Sequence, residues 1–311
     1  MSEPYAAAEG LVRVYPGRTP LGAGLVWAHG GGFAGGALDM PEADAVAHAL
    51  TARGITVVSV DYRLAGDGCR YPAPSDDVLA AWSWTVQNAA RLRIDIARLA
   101  IGGASAGANL VTGAVLRLLD DESRAGESRE LPAAVVLAYP TLHAVQPPTP
   151  PALRAALDAR PDADRFGPDS VREMYENFVG HPLPRGDEAP LPAVPGLATA
   201  SDLAGFPPTF MINGDVDELR VSGEAFAASL AEAGVDVEVL TEAGTEHGHL
   251  NRPQEPGFEA SIDRIAGRLA ALATSTPAST PTPASTPTPV SAPTPVSALG
   301  AGAPLTEGSL S

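Results

Sequence analysis

Two glycine-rich segments carry the residue types that acyl-transfer chemistry needs. Residues 29–33 read HGGGF and residues 103–107 read GASAG, and an apolar run that predicts a β-strand precedes each. Glycines let the first segment approach a substrate closely and present its N–H groups to an oxyanion. Small residues around Ser105 suit a tight strand-to-helix turn, which would hold the serine hydroxyl clear of the backbone. The N–H of Ala106 would open the following helix and point toward developing negative charge.

A serine hydroxyl also needs a base that accepts its proton. His247 follows the last predicted strand and precedes the last predicted helix, which is where such a base is expected. Gly248 directly after it suits a tight loop. His249 is the competing candidate, two residues further on.

The acid that orients the base is expected directly after the predicted strand 208–213. Asp215 and Asp217 both stand there, and the spacing alone favours neither. A serine followed by an aspartate and then by a histidine is the chain order of α/β-hydrolases.

Short apolar runs alternate with amphipathic stretches and predict strands and helices in turn. The predicted strands cover residues 25–28, 55–60, 99–102, 134–139, 208–213 and 235–240. The predicted helices cover residues 41–53, 76–90, 108–119, 222–233 and 258–272. This alternation predicts an α/β fold with a mostly parallel sheet and helices on both faces. Functional loops of such folds lie at the carboxyl ends of the strands, where both glycine-rich segments fall.

Residues 141–205 break the alternation. They are rich in proline and arginine and show no strand pattern. They contain a predicted helix over 168–178, and one face of this helix carries Val171, Met174, Tyr175 and Phe178. A connection of this length is usually functional, so we interpret it as a cap or lid inserted between late strands. A cap that packs without gating is the equal alternative.

The chain is expected to divide into one large α/β domain over 1–273 and a low-complexity tail over 274–311. The tail contains PTPAST at 281–286 and then PTPVSA twice, at 287–292 and 293–298. Such a sequence cannot bury a core, so we expect it to be disordered.

The composition excludes several other classes of protein. A formal charge of −17 argues against a nucleic-acid partner and against docking on anionic membranes. All 20 basic residues are arginine, which excludes lysine Schiff bases, P-loop lysines and Ser-Lys dyads. Cys69 is the only cysteine, so an intrachain disulfide and a cysteine-based zinc site are excluded. His247 and His249 have no further ligands at metal-site spacing, and neither a metal nor a cofactor is expected.

No apolar segment approaches the length of a membrane span, and the first residues show no signal-peptide pattern. The expectation is therefore a cytoplasmic enzyme.

Several segments resemble motifs of the hormone-sensitive-lipase branch of the α/β-hydrolase esterases. These are HGGGF at 29–33, DYRL at 61–64, YPA at 71–73 with Asp77, GASAGANL at 103–110, FPP at 206–208, DELR at 217–220 and HG at 247–248. The resemblance spans roughly residues 20–273 and implies the α/β-hydrolase fold.

The resemblance implies Ser105 as nucleophile, Asp217 as acid and His247 as base. It also implies oxyanion donors from Gly31, Gly32 and Ala106.

The chain departs from the family pattern in three places. Ala104 stands where the family has an acidic residue, and His249 stands where an aromatic residue is usual. Few residues precede HGGGF, so the N-terminal helical cap and the first strands are expected to be shortened or absent.

The sequence thus predicts a serine carboxylesterase whose partner is a small-molecule ester with a short acyl chain. An amidase or peptidase-like serine hydrolase is the first alternative, because the Gly-Asp-x-Asp and His-Gly-His segments also resemble prolyl-oligopeptidase-type domains. The second alternative is a ligand-binding protein on a hydrolase scaffold, which would be expected to lack one of the catalytic residues.

Overall fold

A central sheet of eight strands organises the residues that the computed structural model describes, which are 3–125, 130–163 and 165–272. The strands are β1 (Tyr5–Ala7), β2 (Val12–Tyr15), β3 (Gly24–Ala28), β4 (Thr56–Val60), β5 (Leu99–Ala104), β6 (Val135–Ala138), β7 (Thr209–Val216) and β8 (Val237–Glu246). The helices are α1 (Asp44–Ala52), α2 (Ala73–Leu92), α3 (Ala106–Ala125), α4 (Pro151–Asp158), α5 (Pro168–Val179), α6 (Arg220–Glu232) and α7 (Pro256–Ala271). All described residues belong to the compact unit Met1–Thr276. The tail predicted over 274–311 lies outside the described residues.

The strand order is β1-β2-β4-β3-β5-β6-β7-β8, and the six strands from β4 to β8 run parallel. In the middle of the sheet, Val26 of β3 pairs with Val58 on one side and with Ile101 on the other. The predicted fold class, a mostly parallel α/β-hydrolase sheet with helices on both faces, is confirmed.

Two short strands form the antiparallel edge of the sheet. β2 pairs with β4, and β1 pairs with β2. The first strands were expected to be shortened or absent, and two strands of 3 and 4 residues are present. In β2, Val12 and Val14 are fully buried while Arg13 is half-buried, a two-residue alternation that is too short to stand out in the sequence.

Helices cover both faces because successive side chains of each strand point in opposite directions. Leu25 and Trp27 of β3 face a core shared with α1 and α7. Val26 and Ala28 face the other core, which α2, α3 and α6 cover. The four central strands β3, β4, β5 and β6 are therefore buried along their whole length, as expected for a parallel sheet covered on both sides.

β8 forms the far edge of the sheet and, within the described residues, pairs only with β7. Three of its glutamates, spaced four residues apart, form ion pairs with arginines on or just before α7. The pairs are Glu238 with Arg268, Glu242 with Arg264 and Glu246 with Arg252.

The segment predicted to form a cap, 141–205, lies between β6 and β7 and contains α4 and α5. No strand interrupts it in the described residues, as the sequence predicts, but α4 was not predicted. Buried side chains of α5 pack on the first glycine-rich segment, where the rings of Phe33 and Phe178 stack with centroids 4.1 Å apart. This contact places α5 over the carboxyl end of β3.

In the described part of the chain, none of the helices combines the length and the apolar character that crossing a membrane would require.

Candidate active site

Ser105 stands on a sharp turn between β5 and α3. Its φ of +51° lies in the left-handed region, which costs a non-glycine residue conformational energy. Small neighbours make the turn possible, because a Cβ on Gly107 would lie 2.2 Å from the carbonyl oxygen of Ala28. The turn holds the Ser105 side chain, which is 9% exposed, at the carboxyl edge of the sheet.

Three side chains from separate loops form one hydrogen-bonded chain. Ser105 Oγ lies 3.0 Å from His247 Nε2, and His247 Nδ1 lies 2.9 Å from Asp217 Oδ2. With the ring proton on Nδ1, His247 donates to the Asp217 carboxylate and its Nε2 accepts from the Ser105 hydroxyl. The other oxygen of Asp217 accepts the N–H of Leu219 at 2.8 Å, which fixes the carboxylate.

The strands β7 and β8 bring Asp217 and His247 together. Both extend beyond their predicted ends, so Asp217 is the first residue after β7 and His247 the first after β8. Asp217 is fully buried and His247 is 6% exposed, so the pair lies in a region of low dielectric.

Opposing effects act on the pKa of His247. Burial lowers this pKa, but the charge and hydrogen bond of Asp217, together with the charges of Glu42 and Glu218, outweigh burial and raise it above its usual value of 6.5. The neighbouring carboxylates thus stabilise a protonated imidazole.

The competing candidates have other partners. Asp215, still within β7, accepts the N–H of Gly244 at 3.0 Å and lies 3.9 Å from the guanidinium of Arg220. The geometry therefore distinguishes two aspartates that the spacing does not. His249 Nε2 lies 2.8 Å from Ser261 Oγ, and burial lowers the pKa of His249 to about 4.

The first glycine-rich segment curls beside Ser105. Gly31 and Gly32 have φ values of +123° and +60°, and a Cβ on Gly31 would lie 2.2 Å from the carbonyl oxygen of Gly35. Only glycine fits this curl without strain. Ala106, the first residue of α3, directly follows Ser105 in the chain.

His29 braces this segment. Its Nδ1 donates to the carbonyl of Gly30 at 2.7 Å, and its ring stacks on Tyr62.

An open pocket of about 440 Å³ gives access to these groups. Its wall contains Gly31, Gly32, Met40, Glu42, Ser105, Arg165, Phe166, Met174, Leu219, His247, Gly248, Asn251 and Arg252. The segment predicted as a cap supplies Phe166 and Met174, and the Phe166 ring packs edge-to-face on His247 with centroids 4.9 Å apart. The described residues therefore bring a serine, a histidine and two glycines of the first segment to one apolar cavity.

Glu218 ties the cap segment to the site. Its Oε1 accepts the N–H groups of Arg165 and Phe166, and burial raises the pKa of its carboxyl. Glu218 was not predicted as a site residue, although it directly follows the candidate acid Asp217.

Three other polar residues of the site were also missed: Glu42, Tyr139 and Asn251. Tyr139 ends a predicted strand, a position where functional residues of parallel sheets gather, and that signal could have identified it. Glu42 falls inside the predicted helix 41–53, but residues 41–43 form turns and α1 begins only at Asp44.

Within residues 3–125, 130–163 and 165–272, no group of three or more His, Cys, Asp or Glu side chains has the geometry to hold a metal ion.

Comparison with known proteins identifies the family. The family model described as alpha/beta hydrolase fold matches residues 25–251. This chain therefore belongs to the α/β-hydrolase fold family. Carboxylesterase NlhH of Mycobacterium tuberculosis is 37% identical over 227 residues, which are 73% of this chain and 66% of that protein. Ethyl acetate hydrolase of Pseudomonas putida is 32% identical over 235 residues, which are 74% of this chain and 66% of that protein.

Solved structures agree with this assignment. A bacterial heroin esterase superposes with a TM-score of 0.70 at 27% identity, covering 85% of this chain and 80% of that one. Brefeldin A esterase, a bacterial homologue of human hormone-sensitive lipase, superposes with a TM-score of 0.69 at 26% identity. The superposition covers 87% of this chain and 76% of that one. The resemblance to hormone-sensitive-lipase esterases is confirmed. The chain spans 66% of the length of the two sequence relatives, slightly less than two thirds.

Proposed function

We propose that this chain is a serine carboxylesterase that hydrolyses short-chain carboxylic esters. One observation carries the proposal: Ser105, His247 and Asp217 form a continuous hydrogen-bonded chain that opens into a cavity beside Gly31 and Gly32. The names of the relatives support the same reaction class, since they include a carboxylesterase and an ethyl acetate hydrolase.

In the proposed acylation step, His247 Nε2 takes the proton of Ser105 as Oγ attacks the ester carbonyl. The carbonyl oxygen becomes an oxyanion, which the N–H groups of Gly31, Gly32 and Ala106 would bind. Collapse of this intermediate breaks the bond to the alcohol oxygen, and the alcohol leaves with the proton from His247. Asp217 holds the imidazole in the required tautomer and stabilises its protonated form.

Deacylation repeats the sequence with water as the nucleophile. His247 takes a proton from the water as it attacks the acyl-enzyme, and the carboxylic acid leaves as Ser105 regains its proton.

The apolar side chains beside the reacting groups support a small acyl group. Met40, Phe166, Met174 and Leu219 provide apolar contacts within a space of about 440 Å³. Because Phe166 and Met174 stand close to His247 and Gly32, they limit the length of chain that fits beside the reacting carbonyl.

The test is hydrolysis of p-nitrophenyl acetate, butyrate and octanoate by the full chain and by Ser105→Ala. We expect acetate and butyrate to be turned over faster than octanoate, and Ser105→Ala to reduce kcat by about 1,000-fold or more. Ser83→Ala, which changes an exposed serine on α2, is the matched control and should retain full activity.

An amide substrate separates the proposal from the alternative hydrolase. Faster turnover of p-nitroacetanilide than of p-nitrophenyl acetate would show that the chain is an amidase and not an esterase. A folded protein that cleaves none of these compounds would contradict both.

A further inference from the structure

A buried carboxylate lies behind the first glycine-rich segment. Glu42 is 2% exposed, and its Oε1 accepts the N–H of Gly30 at 2.6 Å. Its Oε2 accepts the hydroxyl of Tyr139 at 2.5 Å and the side-chain amide of Asn251 at 3.1 Å. Burying an ionised carboxylate is costly unless hydrogen bonds satisfy it, and three donors do so here.

The main chain of Glu42 is fixed as well. Its N–H donates to Asn251 Oδ1 at 3.2 Å, and its carbonyl accepts the indole N–H of Trp27 at 2.9 Å. The first of these bonds orients the Asn251 amide, so the NH₂ group of Asn251 must face the Glu42 carboxylate.

Each partner of the carboxylate belongs to a different part of the site. Gly30 immediately precedes the two glycines that are the proposed oxyanion donors. Tyr139 packs its ring edge-to-face on His247, with centroids 5.1 Å apart. Asn251 lies in the loop that follows His247. Glu42 is thus the one described side chain that hydrogen-bonds to all three of these segments.

The contact with Gly30 is close-packed. A Cβ at Gly30 would lie 2.5 Å from Glu42 Oε1 and 3.2 Å from the Cβ of Ser105. Gly30 therefore has no space for a side chain beside the carboxylate and the serine.

We propose that Glu42 is a positioning residue, which holds the Gly30–Gly32 backbone in the geometry that binds the oxyanion and, through Tyr139, keeps the His247 ring in place. This inference rests on the proposed esterase function. Glu42 does not touch the reacting atoms in this role. It acts by preorganising the groups that do.

Glu42→Gln is the direct test, because it keeps the size of the side chain and removes one acceptor. If the glutamine oxygen accepts from Gly30, its NH₂ group faces the NH₂ group of Asn251, and two donors oppose each other. The oxyanion is bound only in the transition state, so kcat should fall while KM changes little. We expect kcat for p-nitrophenyl butyrate to fall about 10- to 100-fold, with KM within about threefold.

The pH profile provides a second readout that a merely structural role would not move. The charge of Glu42 contributes to the raised pKa of His247, so the acidic midpoint of kcat/KM should fall in Glu42→Gln. Glu232→Gln, an exposed glutamate on α6, makes the same change in net charge and should alter neither kcat nor the midpoint.

A compensating change tests the pairing itself. In Glu42→Gln/Asn251→Asp, the new carboxylate can accept both from the side-chain amide introduced at position 42 and from the backbone N–H of the same position. This double variant should recover kcat by at least about fivefold over Glu42→Gln, with the pH midpoint returning toward that of the wild type. Asn251→Asp alone places two carboxylates in contact and should lower kcat.

A folded Glu42→Gln with unchanged kcat and unchanged pH midpoint would overturn the inference. If Glu42→Gln does not fold, Tyr139→Phe takes its place, since it removes one donor and keeps the ring on His247; unchanged kcat in that variant would likewise overturn it. Wild-type protein without ester turnover would instead remove the proposed function, and this inference with it. If the wild type hydrolyses esters and the Glu42 and Tyr139 variants keep its kcat and pH midpoint, only the inference about Glu42 is overturned.

Discussion

At the scale of single residues, the proposed chemistry depends on which of two neighbouring aspartates contacts His247. Asp217 and Asp215 are two residues apart, yet only Asp217 reaches His247. The spacing did not distinguish them, because the predicted strand ended at residue 213 and left both aspartates in the following loop, and only the family resemblance implied Asp217. The observed β7 continues to Val216 with a register shift between Gly214 and Val216, which leaves Asp217 at the end of the strand.

This difference predicts opposite results for two matched variants. Asp217→Asn removes the acceptor that fixes the His247 tautomer and should reduce kcat on the order of 10,000-fold. Asp215→Asn alters only the contacts with the N–H of Gly244 in β8 and with the guanidinium of Arg220, and it should retain activity within about twofold. Both are measured with p-nitrophenyl butyrate, and equal losses would contradict the assignment of the acid.

The pKa of His247 predicts the pH dependence of the wild type. Only the neutral imidazole accepts the serine proton, and the carboxylates around it raise its pKa above 6.5. The kcat/KM for p-nitrophenyl acetate should therefore rise with pH through a midpoint above 6.5. A profile that is already flat at pH 6 would show that these carboxylates do not act on the base.

At the scale of elements, the parallel strands and the glycine-rich turns that follow them could be predicted because their signals are local. HGGGF, GASAG and the apolar strands are each read from a few consecutive residues. Glu42 could not be found in this way, since its partners Tyr139 and Asn251 lie 97 and 209 residues further along the chain. α4 was missed because its proline-rich start was interpreted as irregular, although proline is favoured in the first turn of a helix.

The helix α5 should control the acyl length that the site accepts. Met174 on this helix approaches Gly32, where an added Cβ would lie 3.2 Å from its sulfur. Met174→Ala should raise kcat/KM for p-nitrophenyl octanoate relative to acetate by about three- to tenfold, because it enlarges the apolar wall. Glu173→Ala changes the exposed face of the same helix and should leave the ratio unchanged.

At the scale of the whole molecule, buried histidines should make the protein sensitive to acid. Burial lowers the pKa values of His143 and His249 to about 4, whereas an unfolded histidine titrates near 6.5. The stability that each neutral ring contributes is complete above pH 6.5 and is lost as the pH falls toward 4. His247 has the opposite sign, since its raised pKa contributes stability below pH 6.5 that is lost as the pH rises through its folded value.

His249→Phe isolates one of these contributions and places a ring of the kind usual in the family at this position. Each such histidine should lower the free energy of unfolding by about 2 kcal/mol between pH 7.5 and pH 5. Between the same two pH values, the free energy of unfolding of the variant should therefore fall by about 2 kcal/mol less than that of the wild type. Urea denaturation measures both values. His181→Phe changes an exposed ring and serves as the control, and an unchanged pH dependence in His249→Phe would contradict the prediction.

The row of ion pairs along β8 also bears on how this protein behaves once it begins to unfold. A free strand edge offers unpaired N–H and C=O groups to any other chain, and repeated charges are one way in which proteins block such contacts. Here the three glutamates are matched by arginines on or next to α7, so the same charges that guard the edge also anchor the helix beside it. Detaching α7 would break the ion pairs and uncover the edge together. Partial unfolding that releases α7 should consequently leave this edge open to aggregation.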